Sequence, residues 1–133
     1  MGILESAIPV GIICTKDRVR ATAFYRDTLG LILTAEDNFA AVFDISGVSL
    51  RVSTVRDWTA HQHTVFGFRV PDVTQTVKAL REKGVTFNTY KGFNHNELGI
   101  ITAPGTSSQV AWFKDPDGNV LSVMNASAPA PRK

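Results

Sequence analysis

Four side chains between residues 61 and 97 belong to types that bind metal ions or transfer protons. His61 and His63 are two residues apart and would share one face of a strand, while His95 and Glu97 lie in a polar loop. Together they could form a metal site, although their spacing matches no chelating motif. His63 or Glu97 could instead transfer a proton, since an imidazole titrates near neutral pH. The catalytic residue therefore stays unknown, with these two as weak candidates.

Two arginines, Arg51 and Arg69, occur within apolar runs that read as strands. An unpaired guanidinium in apolar surroundings costs several kcal/mol, so each needs an acidic partner, solvent or an anionic ligand. One hypothesis is that at least one of them holds the carboxylate of a small, partly aromatic molecule in bidentate geometry. The alternative is that each reaches the rim of its surroundings or pairs with Asp44, Asp57 or Glu97.

The aromatic residues and the cysteine allow two interpretations each. Trp58 and Trp112 could stack on a flat ligand, although tryptophan is more typical of a core. Phe39 and Phe43 are predicted to be core residues, one of which could border a cavity. Cys14 lies in a β-branched run, where a small buried hydrophobe is expected rather than a nucleophile.

Composition excludes several classes of function. The chain of 133 residues has a net charge of +2 with scattered basic residues, so no nucleic-acid partner is expected. No apolar run approaches the roughly 20 residues that span a membrane, and no signal peptide is recognisable. A single cysteine excludes an internal disulfide. We therefore expect a cytoplasmic protein that has no membrane partner.

The order of predicted elements repeats. The first half begins with a strand at 8–15 and a helix at 16–29, in which Val19, Ala23 and Phe24 fall at helical spacing. Strands follow at about 31–35, 39–45 and 48–55, and then a linker at 56–62. The second half begins with a strand at 63–70 and a helix that starts after the capping pattern of Asp72 and Gln75. It continues with strands near 85–91 and 98–102 and ends with a hairpin at 109–123.

The two halves superpose at an offset of 55 residues, which places Asp17 on Asp72 and Val10 on Val65. The sequence therefore predicts one α+β domain, 1–133, of two βαβββ modules at about 7–56 and 62–125, with a disordered tail at 126–133. Side by side, the modules would form a curved mixed sheet with a central cup.

Three segments resemble the vicinal oxygen chelate superfamily, which includes glyoxalases, bleomycin resistance proteins and extradiol dioxygenases. They are AFYRDTLGL at 23–31, FRVPDVTQTVKALREKGV at 68–85 and AWFKDPDGNVLSV at 111–123, in the right order over nearly the whole chain. The resemblance implies the paired βαβββ fold and, often, a second subunit, so we expect a homodimer.

The resemblance also implies metal ligands, usually His, Gln or Glu, on the first and last strand of each module. Those places fall on Val10, Arg51, Val65 and Ser122. Valine has no donor atom, arginine carries a fixed positive charge and a lone serine is a weak ligand. We therefore expect no metal ion and no cofactor.

Strand alternation indicates which residues line the expected cup. Together with three of the aromatic residues discussed above, these make up the candidate ligand-binding residues. They are Val10, Ile12, Cys14, Phe43, Arg51, Trp58, His63, Val65, Arg69, Trp112 and Ser122. The sequence favours a metal-free protein that binds a small organic ligand, acidic or aromatic, in this cup, and the resemblance implies antibiotic sequestration as its activity. The alternatives are a lyase or isomerase acting beside a carbonyl, similar to lactoylglutathione lyase, and a structural dimer whose cup is filled by side chains.

Overall fold

The computed structural model describes residues 2–125 and has the predicted α+β class. The chain divides into two compact units between Ala60 and His61, and each unit contains one small mixed sheet. The tail predicted to be disordered, 126–133, lies outside the described residues.

The first unit has the predicted order of one strand, one helix and three strands. Its elements are β1 (Val10–Thr15), α1 (Arg18–Ala23), a π-helical turn (Phe24–Thr28), β2 (Ile32–Glu36), β3 (Ala40–Ile45) and β4 (Val48–Thr54). The sheet order is β1-β4-β3-β2, with β1 parallel to β4 and the other pairs antiparallel.

The helix of the first unit packs on the sheet through a different face from the one the spacing indicated. Ala21, Thr22 and Tyr25 are buried, whereas Val19 is 68% exposed. The small Ala21 side chain allows the helix backbone to approach the sheet closely. Phe43 lies beneath this helix, fully buried, with its ring 5.9 Å from that of Tyr25. Phe43 is therefore a core residue rather than a ligand-binding one.

The second unit repeats this order with one additional short strand. Its elements are β5 (Thr64–Arg69), α2 (Val73–Glu82), β6 (Phe87–Asn88), β7 (Ile101–Thr102), β8 (Gln109–Lys114) and β9 (Val120–Met124). The sheet order is β5-β9-β8-β6, and β7 also pairs with β8. Strand β5 is parallel to β9, whereas β8 is antiparallel to its three neighbours.

Aspartates begin both helices, as the internal repeat predicts. The Asp17 carboxylate accepts a hydrogen bond from the Arg20 N–H at 3.1 Å, and the Asp72 carboxylate accepts one from the Gln75 N–H at 3.0 Å. Each bond satisfies a backbone donor that the first helical turn leaves without an intrahelical partner. The two caps fix where each helix starts after its first strand.

We expect Asp72→Ala to lower the free energy of unfolding by about 1 kcal/mol, because the Gln75 N–H loses its acceptor. Urea denaturation followed by circular dichroism measures this change. Gln75→Ala is the control: it keeps the cap and a good helix former at an exposed position, so it should leave stability nearly unchanged. Equal losses in both variants would contradict the assigned cap.

Candidate functional site

The side of the first sheet opposite to α1, its helix-free face, carries the alternate residues that the sequence predicts. Ile13 and Thr15 are buried on the helix side, whereas Val10 is 55% and Ile12 63% exposed. The register places Ile12 beside Arg51 on the same face. Strand alternation therefore assigned these residues to the correct face.

Arg51 is half-buried between Ile12 and Val42, its neighbours in register on β1 and β3. Within residues 2–125 it forms no ion pair, and Asp44 and Asp57 form none either. Its positive charge acts on the Asp37 carboxylate in the turn before β3. Hydrogen bonds from the backbone N–H groups of Phe39 and Ala40 are the main cause that lowers the pKa of Asp37, and Arg51 contributes further in the same direction.

The lowered pKa of Asp37 predicts a pH-dependent contribution to stability. The ionised carboxylate accepts hydrogen bonds of 2.8 and 2.9 Å only in the folded state. These bonds therefore add to the free energy of unfolding above the ordinary pKa of 3.8, and this stabilisation is lost as the pH falls through the lower pKa of the folded state. Asp37→Asn keeps an acceptor but does not titrate. We expect the stability advantage of the wild type over Asp37→Asn to shrink on acidification, measured by urea denaturation across pH.

Asn38→Ala is the matched control, because it changes the same exposed turn without removing a titrating group. Its stability difference from the wild type should stay constant across the same acid range. A difference for Asp37→Asn that is equally flat would show that the carboxylate charge has no role in the turn.

The helix-free face of the second sheet carries a continuous row of side chains across four strands. Register pairs Gly67 on β5 with Ser122 on β9, Ser122 with Trp112 on β8, and Trp112 with Asn88 on β6. We call these four residues the polar–aromatic row. The next row on the same face begins with Arg69, which lies beside Met124.

Two members of the polar–aromatic row have buried polar atoms without a hydrogen-bond partner among the described residues. They are the Ser122 Oγ and the Asn88 Nδ2, which lie on either side of Trp112 in the row. Ser122 itself is fully buried. Unpaired buried polar groups cost about 1–3 kcal/mol each and are rare in folded proteins. Their position in one row marks this face as the candidate site.

Gly67 provides the space that the Ser122 hydroxyl occupies. A Cβ atom at position 67 would lie 2.9 Å from the Ser122 Oγ and 3.4 Å from the Met124 Cε. The first distance is shorter than a carbon–oxygen contact allows, so only glycine fits beside the hydroxyl in its present position. The Met124 side chain also lies close to Gly67, although Gly67 itself is exposed.

Aromatic rings surround the other end of the row. The Trp112 ring makes edge contacts with Tyr90 at 5.4 Å and with His95 at 6.2 Å between centroids. The His95 ring lies 6.5 Å from that of Phe93, which is exposed. Trp112 is half-buried, so part of the indole remains accessible to a ligand.

His95 has a structural role in this cluster. Its Nε2 accepts a hydrogen bond from the Tyr90 backbone N–H at 2.9 Å, and its Nδ1 lies 2.9 Å from the Gly99 carbonyl oxygen. The neutral ring with its proton on Nδ1 satisfies both contacts. Both nitrogens are therefore engaged, and His95 is available neither as a metal ligand nor as a base.

The relocated metal site that the histidines could have formed is not assembled in the described part of the chain. His61 and His63 lie before β5 in an exposed segment with their rings stacked 5.0 Å apart. No group of three or more His, Cys, Asp or Glu side chains within residues 2–125 is placed to hold a metal ion. Glu97 instead lines a separate cavity near the end of α2.

The four places implied for metal ligands also do not fit a divalent ion. Val10 is an exposed aliphatic residue, and Val65 lies at a β-bulge in the pairing of β5 with β9. Arg51 presents a cation, and Ser122 offers a single hydroxyl. This donor set is unsuited to a divalent ion whatever its geometry.

Sequence reasoning found some members of the candidate site and missed others. Arg69, Trp112 and Ser122 lie on the face that it favoured, whereas Trp58 is half-buried in the irregular segment after β4. It predicted a strand near 85–91, which contains β6, but it missed Asn88 as a site residue, because the pairing of Asn88 with Trp112 cannot be read from either segment alone. It also missed the role of Tyr90 beside Trp112.

The sequence model of the Glyoxalase/Bleomycin resistance protein/Dioxygenase superfamily matches residues 7–123. The chain therefore belongs to this superfamily, as the three motifs indicated. No curated protein matches it at a significant level. None of the helices in the described part of the chain combines the length and apolar character needed to cross a membrane.

Solved structures share the fold at low sequence identity. UcmS2 is 18% identical with a TM-score of 0.70, over 90% of this chain and 97% of its own. A glyoxalase family protein from Bacillus anthracis is 15% identical with a TM-score of 0.70, over 89% and 93%. Lactoylglutathione lyase from Agrobacterium tumefaciens is 19% identical with a TM-score of 0.67, over 90% and 92%. At these identities the likeness establishes the fold alone.

The contact between position 67 and the Ser122 hydroxyl predicts a coupled pair of substitutions. Gly67→Ala should lower the free energy of unfolding by about 1–3 kcal/mol through overpacking. Ser122→Ala should raise it by about 1 kcal/mol, because an unpaired buried hydroxyl is removed. In the Ser122→Ala background, Gly67→Ala should cost clearly less. Urea denaturation of the double-mutant cycle measures the coupling.

Met124→Leu provides the matched background for this cycle, because it removes the more distant Cε contact and keeps the hydroxyl. Gly67→Ala should remain nearly as costly there as in the wild type. Additive effects of Gly67→Ala and Ser122→Ala would be inconsistent with the close approach of these two positions.

Proposed function

We propose that this protein binds a small, partly aromatic organic molecule with a carboxylate or similarly acidic group on the helix-free face of its second sheet. The observation that carries the proposal is the polar–aromatic row, in which two unpaired buried polar groups lie on either side of Trp112. The binding requires no divalent ion, because the side chains at the implied ligand positions are unsuited to one.

The positive charge of Arg69 favours a ligand with a negatively charged group. This arginine is exposed at the end of β5, one row from Ser122, and forms no ion pair within residues 2–125. A guanidinium binds a carboxylate through two parallel hydrogen bonds, which fixes the orientation of the ligand as well as contributing affinity. An acidic group is therefore the chemistry that this end of the face favours.

Trp112 and its neighbours favour a ligand with an aromatic ring. The edge contacts with Tyr90 and His95 hold the indole in place without covering it completely. A flat ring that stacks on an ordered indole gains about 0.5–1.5 kcal/mol beyond the burial of its area. A planar ligand therefore suits this surface better than an aliphatic one.

The unpaired groups would become satisfied when a ligand is bound. The Asn88 Nδ2 is a donor and needs an acceptor, while the Ser122 hydroxyl can donate or accept. Both atoms are covered in this structure, so a ligand reaches them only if a neighbouring side chain moves. Met124 is suited to this movement, because methionine is unbranched and flexible.

The lyase or isomerase hypothesis has less support from the described side chains. Both ring nitrogens of His95 are engaged, and His63 lies in an exposed segment outside the strands. The structural similarity to lactoylglutathione lyase concerns the fold only. The same proposal includes a cytoplasmic location and a role in sequestering an antibiotic. It also includes assembly as a homodimer, because unpaired sheet edges favour pairing with a second copy.

Tryptophan fluorescence tests the proposed ligand directly. The chain contains two tryptophans, so Trp58→Phe leaves Trp112 as the single reporter. In this background we expect benzoate and 4-hydroxybenzoate to quench the emission saturably, and benzamide to bind at least about tenfold more weakly, a difference of about 1.4 kcal/mol. Arg69→Gln should reduce the affinity for the acids to that for the amide.

Lys78→Gln is the matched charge control, because this exposed lysine lies on α2 and thus on the other side of the sheet. It should leave binding of the acids unchanged. Absence of saturable binding by any aromatic acid, or equal affinities in Arg69→Gln and the wild type, would overturn the proposal. Stoichiometric stabilisation by Ni²⁺, Zn²⁺ or Mn²⁺, abolished by a chelator, would overturn its metal-free part.

A further inference from the structure

A second concave site lies in the same unit but on the other side of its sheet. A cavity of about 210 Å³ opens between the end of α2, strand β6 and the segment 96–99. Its lining includes Arg81, Val85, Phe87, Glu97 and Leu98. Because Phe87 and Asn88 are adjacent in a strand, their side chains lie on opposite faces, so this cavity is distinct from the polar–aromatic row.

Hydrogen-bonded turns frame the cavity on two sides. After α2, the Val85 N–H donates to the Leu80 carbonyl at 3.0 Å, which holds the chain against the helix end. In the facing segment, the Asn96 side-chain oxygen accepts bonds of 2.9 Å from the N–H groups of Leu98 and Ile100. The walls are therefore ordered by local bonds that need no ligand.

Gly99 makes this frame possible. Its φ is +86°, a left-handed conformation that favours glycine, and a Cβ atom there would lie 3.3 Å from the Phe87 Cβ. The segment can therefore approach β6 closely only because position 99 has no side chain. Phe87 and Gly99 both line the cavity.

The lining combines one cation, one anion and an apolar body. Arg81 and Glu97 carry opposite charges, yet neither forms an ion pair or a side-chain hydrogen bond with any residue between 2 and 125. Val85, Phe87 and Leu98 supply the apolar surface of the same lining. The cavity thus offers an exposed cation and an exposed anion beside one apolar surface, the groups that would contact a molecule with both charges.

We propose that this cavity binds a small zwitterion with a short aliphatic side chain, of the α-amino acid class. Its carboxylate pairs with the Arg81 guanidinium, its ammonium group pairs with the Glu97 carboxylate, and its side chain contacts Val85 and Phe87. The volume is below the roughly 300–1,000 Å³ of pockets for drug-sized ligands and equals the liquid volume of about seven waters. A ligand of this small size suits that volume.

Isothermal titration calorimetry with three related probes tests the charge requirement. L-valine carries both charges, L-valinamide lacks the carboxylate, and N-acetyl-L-valine lacks the ammonium group. We expect saturable binding of L-valine and at least about tenfold weaker binding of both derivatives. Absence of L-valine binding, or equal binding of either derivative, would overturn the proposal.

Charge-neutralising variants test the two residues. Arg81→Gln should abolish the preference for L-valine over L-valinamide, and Glu97→Gln should abolish the preference over N-acetyl-L-valine. Lys78→Gln and Glu82→Gln, exposed residues of α2 outside the cavity lining, should preserve both preferences. Since all four positions are exposed, the variants are expected to fold, which circular dichroism verifies. Retention of both preferences in Arg81→Gln and Glu97→Gln would refute the assignment.

Two-dimensional ¹⁵N NMR places the bound probe on the structure. L-valine should shift the amide signals of Thr86 and Gly99, which line the cavity, and should leave that of Gly67 unchanged. Arg69→Gln should not affect L-valine binding. Shifts confined to the polar–aromatic row would overturn this site while leaving the proposed binding of aromatic acids open to its own test.

Discussion

The buried carboxylate of Asp115 fixes the geometry on which the candidate site depends. Its Oδ1 accepts hydrogen bonds of 2.9 Å from the N–H groups of Asp117 and Asn119, and its Oδ2 accepts one of 2.7 Å from the Asn119 side chain. These bonds shape the turn between β8 and β9, and turn geometry sets hairpin register. With β8 in place, a slip of one residue in β9 would move Ser122 to the helix side and bring Leu121 and Val123 out onto the face of Trp112. The hydrogen bonds of this carboxylate thus help to keep Ser122 opposite Trp112 on one face of the sheet.

Local signals predicted the elements well, because each rests on chemistry within a few residues. Period-two runs gave β1 and β4, aspartates gave both helix starts, and the DPDGN segment gave the hairpin. The same alternation placed Ile12 and Arg51 on the correct face. What could not be predicted depends on pairing between distant segments. The sequence predicts a strand near 85–91, but its shortening to Phe87 and Asn88, and the place of Asn88 beside Trp112, follow from pairing with β8.

Membership of the superfamily does not by itself assign a metal-dependent chemistry to this chain. The fold is shared with solved structures at 15–19% identity, which is enough to preserve strand order and too little to preserve a ligand set. At the places where relatives carry donors, this chain has two valines, an arginine and a serine. The sheets nevertheless still align side chains into rows, so a different chemistry can occupy the same kind of surface.

Under the proposed function, the unpaired groups in the row represent stability given up for binding. A buried hydroxyl and amide without partners lower the free energy of unfolding, and an alanine at position 122 would avoid part of that loss. Gly67 adds a further loss, because glycine in a strand forgoes side-chain packing and raises the entropy of the unfolded chain. Both features concern the same point of contact, where the missing Cβ makes room for the hydroxyl. Local departures from a well-packed interior are expected at functional sites, where the missing interactions are supplied by a ligand. The coincidence of a glycine, an unpaired hydroxyl and an unpaired amide around one half-buried indole therefore favours a binding surface over a core that is merely imperfect.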